Sequence, residues 1–142
     1  MNIKKLYKFS KKNLYPLNRS ITGDGLRKSL KLIKINYPIL KIKHFRSNTK
    51  VFDSKIPSEW NVSEAYIKDS KNNVIFDFKK TNLHLVGYSI PTKEVLTKNQ
   101  LLSKLYCLPD QPTAIPYVTS YYKKNWGFYF TYNQKRQLIK FK

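Results

Sequence analysis

Arg19-Ser20-Ile21-Thr22-Gly23-Asp24-Gly25 sets a guanidinium and three oxygen-bearing side chains within seven residues. Gly23 and Gly25 frame the acid and permit unusual backbone angles or the close approach of a ligand. Free backbone N–H groups where a helix begins favour an anion. Arg19 could grip a carboxylate through two N–H groups at once, as on a peptide C-terminus or an acidic sugar. Arg19, Ser20, Thr22 and Asp24 are therefore substrate-binding candidates. A plainer alternative uses the same residues: Thr22 or Asp24 caps the following helix, and Arg19 pairs with Asp24.

His84, Tyr121 and Tyr122 are the other binding candidates. His84 lies mid-strand by pattern, where a lone histidine is most simply a hydrogen-bonded part of the core. Thr119-Ser120-Tyr121-Tyr122, with Trp126, could wall a substrate or merely pack between strands. The chain contains Ser120, His84 and Asp110, but a triad is recognised by geometry rather than inventory, so no residue is assigned a catalytic role. His44 and His84 are the only histidines. Neither has an Asp, Glu or Cys at ligand spacing, whereas a catalytic zinc takes three protein ligands. No metal is assigned to this chain. Cys107, the single cysteine, sits among apolar neighbours and reads as a buried, inert thiol.

The elements that must position these groups are legible by period. Ile3, Leu6 and Tyr7 give a weak helical pattern over residues 2–12. Leu26, Leu30 and Ile33 recur at i, i+4 and i+7, which predicts an amphipathic helix of about three turns, with Pro38 beyond its end. Ile39 to Arg46 alternates as a strand does. Val51 to Asp53, Trp60 to Lys68, Val74 to Asp77, Asn82 to Ser89 and Trp126 to Thr131 are further strands, with Asp69 to Asn73 a hairpin loop. Thr97 to Gln100 and Thr131 to Gln134 have the capping-box pattern that opens a helix. The second of these helices is expected to run to the C-terminus. Helices flanking a mostly β middle make the fold class α+β.

Composition narrows the function classes. The net charge of +20 comes from 28 basic and 8 acidic residues, and only four of the basic ones are Arg. Base readout and bidentate phosphate grip favour Arg. Scattered Lys beside abundant Asn and Ile fits an A/T-rich coding sequence, so no specific nucleic-acid partner is expected. Weak, salt-sensitive binding to polyanions is. No stretch approaches the ~20 apolar residues of a membrane span. The start lacks the apolar core of a secretory signal, and one cysteine suits a reducing compartment. A cytoplasmic location is expected.

Five segments together resemble one family. They are Leu14 to Gly25 (LYPLNRSITGDG), Thr49 to Lys68 (TKVFDSKIPSEWNVSEAYIK), Asn82 to Pro91 (NLHLVGYSIP), Leu108 to Tyr122 (LPDQPTAIPYVTSYY) and Trp126-Gly127-Phe128. In order and spacing they are similar to the N-terminal region of the bacterial and archaeal aminopeptidase-like family of zinc-dependent exopeptidases, which carries a small inserted domain. The resemblance implies a layout. Residues 1–38 are the first helices of a zinc-exopeptidase-like α/β domain, residues 39–130 a small β-rich inserted domain, and residues 131–142 a helix that begins the return to the peptidase core.

The family's zinc ligands lie downstream of everything matched here, beginning with a His-Pro loop this sequence lacks. The resemblance thus implies a chain truncated before the metal ligands, whose zinc belongs to the full-length proteins. Such a chain would shape the cleft and bind substrate for a hydrolase of peptide or amide bonds rather than catalyse. Its partners would be a C-terminal peptidase-core chain and a peptide or sugar-linked amide, since the family is associated with surface-polysaccharide genes. The alternatives are a stand-alone module binding a polyanion or carbohydrate, and a remnant of a split gene.

Overall fold

The computed structural model describes residues 2–118 and 120–140, with Lys140 described by its backbone alone. The fold is α+β and divides into two compact units, Met1–Ser63 and Glu64–Lys142.

In the first unit, α1 spans Ile3–Phe9 and runs into a π-helical turn, Ser10–Leu14. Asn2 caps α1 through its side-chain oxygen, which accepts from the Lys5 amide at 3.0 Å. The predicted amphipathic helix is α2, Asp24–Asn36. Its N-cap is Gly23, not Thr22 or Asp24, and no side chain of the cap residue bonds the helix. The hairpin of β1 (Lys50–Val51) and β2 (Ser54–Lys55) turns at Phe52 and Asp53, where the sequence pattern reads as a single strand.

Ile39 to Arg46 forms no strand. Its alternation finds no neighbouring ladder to satisfy its backbone, and Ile39 and Phe45 stay 90% and 71% exposed. Leu14 is the one large apolar residue buried in this unit among the described residues.

In the second unit, β3 (Tyr66–Lys68) and β4 (Val74–Asp77) form an antiparallel hairpin. The Asp69 carboxylate closes the loop by accepting from the amides of Lys71 and Asn73 at 2.9 and 2.8 Å. A bond from the Asn73 side chain, and then these amide bonds, hold its pKa below the ordinary value.

Helix α3 (Lys98–Ser103) opens on the predicted capping box of Thr97 and Gln100. Helix α4 (Tyr132–Lys140) opens on that of Thr131 and Gln134, with reciprocal bonds of 2.9 and 3.1 Å. The rest of its expected run lies outside the described residues. Strand β5 (Leu105–Tyr106) pairs in parallel with β6 (Phe128–Tyr129). Cys107, between α3 and the proline-rich loop, is half-buried rather than buried.

Asn82 to Ser89 runs beside β6 without becoming a strand. Its bridges, Leu85 to Phe128 and Ser89 to Asn125, are isolated ones. Tyr88 takes φ +62°, a left-handed turn of the chain that ends any regular ladder.

The core lies where these pieces meet. Ile67, Phe76, Leu105, Phe128 and Phe130 form one buried cluster. Phe128 and Phe130 project to the same side, two residues apart. Both meet the Phe76 ring edge-on, with centroids 5.1 and 6.4 Å away. Phe76→Ala should therefore destabilise the protein by about 3–5 kcal/mol in urea unfolding. Val95→Ala, at a fully exposed position, should stay within about 0.5 kcal/mol. Equal effects would contradict this placement of the core.

Candidate functional site

The glycine-framed loop closes on its own chain. A Cβ on Gly25 would stand 1.7 Å from the Asn18 carbonyl oxygen. Gly23 has φ +93° and ψ 179°, a region essentially reserved for glycine. Its missing side chain would meet the Trp60 carbonyl oxygen at 2.3 Å. Both glycines make room for the backbone of another stretch of the chain.

Hydrogen bonds fasten the loop to residues 58–61. The Thr22 hydroxyl accepts from the Trp60 amide at 3.2 Å and donates to the Ser58 carbonyl at 3.5 Å. The Asp24 amide donates to Asn61 Oδ1 at 2.7 Å. A side chain 37 residues away thus satisfies a free N–H at the start of α2, a task usually left to the cap residue.

Arg27 completes the fastening. It donates to Asp24 through Nε at 3.2 Å and Nη2 at 2.6 Å. It also reaches both oxygens of Glu59, through Nη1 at 3.1 Å and through Nη2. Asn61 donates to the same Glu59 carboxylate at 3.1 Å. Arg27 is driven further toward its charged form by Glu59 first and Asp24 second. Glu59 is pushed below its ordinary pKa by Arg27 and then Asn61. The anticipated Arg19–Asp24 pair does not form: Asp24 is taken by Arg27, one helical turn along. Arg19 is exposed, with no hydrogen bond or ion pair among the described residues, and Ser20 is half-buried.

This fastening forms one wall of a groove of about 380 Å³ inside the first unit. Its apolar lining includes Leu26, Leu30, Ile42, Phe45 and Ile56, while Lys31, Lys43 and His44 supply cationic and imidazole groups. Thr22 reaches the groove; Arg19, Ser20 and Asp24 do not line it. Sequence reasoning misses Arg27, Glu59 and Asn61, and weighs His44 only as a metal ligand. The usable signal is the pair of polar residues Glu59 and Asn61 directly after Pro57-Ser58.

The second unit bonds His84, Ser120 and Tyr121 internally. His84 is 8% exposed and donates through Nδ1 to the Tyr129 carbonyl at 2.5 Å. The Tyr129 amide returns a bond to the His84 carbonyl at 2.6 Å. Phe76 and Phe130 flank the imidazole at 5.5 and 5.2 Å. Ser120 donates to the Gly87 carbonyl at 3.0 Å, so Ser120 and His84 do not form a catalytic pair.

Tyr121 shares a hydroxyl–hydroxyl bond of 2.9 Å with Tyr117 and meets Tyr88 edge-on at 5.1 Å. The bond to Tyr117, with burial, pushes the Tyr121 pKa up to about 12. Tyr122 is 69% exposed. Trp126 packs on Phe128, the packing alternative for that residue. Thr119, grouped with these residues in the sequence, lies outside the described residues.

Among the described residues, no three His, Cys, Asp or Glu side chains come together to hold a metal ion. This donor set does not fit the zinc that the resemblance implies. No helix among them is long and apolar enough to cross a membrane.

Residues 59–141 match a domain of unknown function, DUF2172. The chain belongs to this family. The DUF2172 match opens on Glu59, the residue that Arg27 grips. A protein of Clostridium acetobutylicum, named for polysaccharide biosynthesis with an aminopeptidase-like domain, is 45% identical over 125 residues. That alignment covers 88% of this chain and 29% of the relative. A crystal structure named as a peptidase from the same organism superposes with a TM-score of 0.87 at 42% identity. It takes in 94% of this chain and 31% of the other. The DUF2172 chain thus spans under a third of the relatives it matches, and the aminopeptidase-like family resemblance holds.

Two measurements test the site. Gly25→Ala should destabilise the first unit by roughly 1–3 kcal/mol through forced backbone displacement; unchanged stability would refute the close approach. The second concerns Glu59, whose folded pKa is depressed. Its pairing stabilises the fold above the ordinary value of 4.5 and is lost as pH falls through the lower folded value. The Glu59 carboxyl carbon, followed by NMR, should titrate below 4.5 in the native chain and return toward 4.5 in Arg27→Gln. Ordinary titration in both would break the assignment.

Proposed function

We propose that this chain supplies cleft-shaping and substrate-binding surface to a zinc-dependent aminopeptidase-like hydrolase acting on a peptide or amide bond. The observation that carries this reading is the extent of the match. Nearly the whole chain aligns with its relatives, yet it accounts for 29% of one and 31% of the other. The peptidase-like chemistry in their names then belongs to proteins with much more chain than this.

The layout proposed with it is the family's: residues 1–38 contribute to the peptidase-like domain, 39–130 form the inserted domain and 131–142 lead into the core. Zinc, in this reading, is held by residues other than 1–142, on this or a second chain.

The groove is the surface best suited to bind substrate. Its apolar lining takes a hydrocarbon or aromatic side chain. Lys31, Lys43 and His44, which have no partner among the described residues, can donate to a carboxylate or amide oxygen. The substrate is a peptide or, given the relative's polysaccharide name, a sugar-linked amide.

An aminopeptidase assay on the chain alone, with and without added zinc, tests the division of labour. The expected result is no turnover above the blank and no zinc retained after gel filtration. Zinc-dependent turnover that survives replacement of both His44 and His84 would overturn the proposal.

A further inference from the structure

Twelve residues at the start of the fold form a helical segment with two chemically opposite sides. Ile3, Leu6 and Tyr7 stand at i, i+3 and i+4, which places them on one face. They are 81%, 41% and 55% exposed, and no residue of α1 is buried. Lys4, Lys8 and Lys11, at i, i+4 and i+7, line another face, with Lys5 and Lys12 beside them. All five lysines are exposed. No acidic residue precedes Asp24, so nothing along this segment neutralises them. Leu14, buried at its end, ties the segment to the first unit and leaves the apolar face outward.

A helix this short is marginal in water without a surface to cover its apolar side. The surface that fits must accept three apolar side chains and a block of like charges together. We infer that Ile3–Leu14 lays this protein on an anionic lipid surface, with Ile3, Leu6 and Tyr7 in the headgroup boundary and the lysines among the lipid phosphates. Lysine suits a diffuse negative surface, which is read by charge rather than by the fork geometry that favours Arg. The long aliphatic stems let the ammonium groups reach the headgroups while the helix lies flat. Tyr7 is an interfacial side chain, and Lys11 Nζ already stands 6.0 Å over its ring. The rival occupant is protein: an acidic surface, or the rest of the peptidase-like domain to which residues 1–38 are assigned above. It would need an apolar strip flanked by acidic groups, whereas a bilayer offers both chemistries everywhere.

Sedimentation of the whole chain with vesicles decides the matter. The chain should bind vesicles containing phosphatidylglycerol and not those of phosphatidylcholine alone. Lys5→Glu, Lys8→Glu and Lys12→Glu together should weaken binding by on the order of tenfold or more. The same charge change made elsewhere, as Lys71→Glu, Lys93→Glu and Lys123→Glu, should weaken it far less. Ile3→Ser with Leu6→Ser should also weaken it, with every lysine in place; both positions are exposed, so the fold is spared. Three results would overturn the inference: equal losses from the two lysine sets, indifference to the serine pair, or no binding to anionic vesicles at low salt.

Discussion

The carbonyl of Asn18 occupies the space that a side chain on residue 25 would need. Much of the first unit follows from that approach. With residues 18 and 25 in contact, the loop between them is forced outward, and Gly23 carries it at an angle that other residues avoid. Thr22 and the Asp24 amide then meet residues 58–61, and α2 starts with one of its free N–H groups already satisfied. Arg27 lies one turn along, where it can reach Glu59 and Asp24 together. The pairing is exposed and worth little as electrostatics alone. Its value is positional: it fixes one wall of the groove beside Leu26 and Leu30.

The second unit depends on a single segment used on both sides. Phe128 and Phe130 fill the core from one face of β6, while Tyr129 is buried from the other and packs on Tyr106. The Tyr129 backbone holds His84, and its hydroxyl accepts from the Val118 amide at 3.1 Å and donates to the Val118 carbonyl. Burial raises the Tyr129 pKa, as expected for a phenol kept neutral among other rings. A histidine locked between two phenylalanines and a carbonyl positions backbone.

Features written in local sequence were legible, and those made by distant contacts were not. Thr97 with Gln100, and Thr131 with Gln134, announce helix starts because the bonds that make them span three residues. The Asp69 to Asn73 loop is legible for the same reason. Ile39 to Arg46 has strand alternation, but a strand also needs a neighbour, and sequence period does not reveal one. Asn82 to Ser89 has its neighbour in β6 and is bent away by Tyr88. In the site, Thr22 and Asp24 could be picked out from the glycine frame. Their partners Ser58, Trp60 and Asn61 lie more than thirty residues on. The motif favours Arg19 over Arg27 by its place, whereas helical spacing of three residues decides the pairing.

The same distinction between local pattern and spatial arrangement governs the charge. Of 28 basic side chains, Arg27 takes two carboxylates at once. The chain carries 28 basic against 8 acidic residues, and repulsion within that excess opposes compaction. Folding must then rest on burial of apolar surface, which is concentrated in the second unit around Phe76 and Phe128. The first unit has only Leu14 as a buried large apolar residue among the described residues and relies on backbone approach and polar fastening instead. Where basic residues mix with acids and asparagines on the surface, their sum is a property of the whole field. Where they fall on one side of a helix opposite three exposed apolar side chains, the field acquires a direction. Net charge alone could not supply that direction.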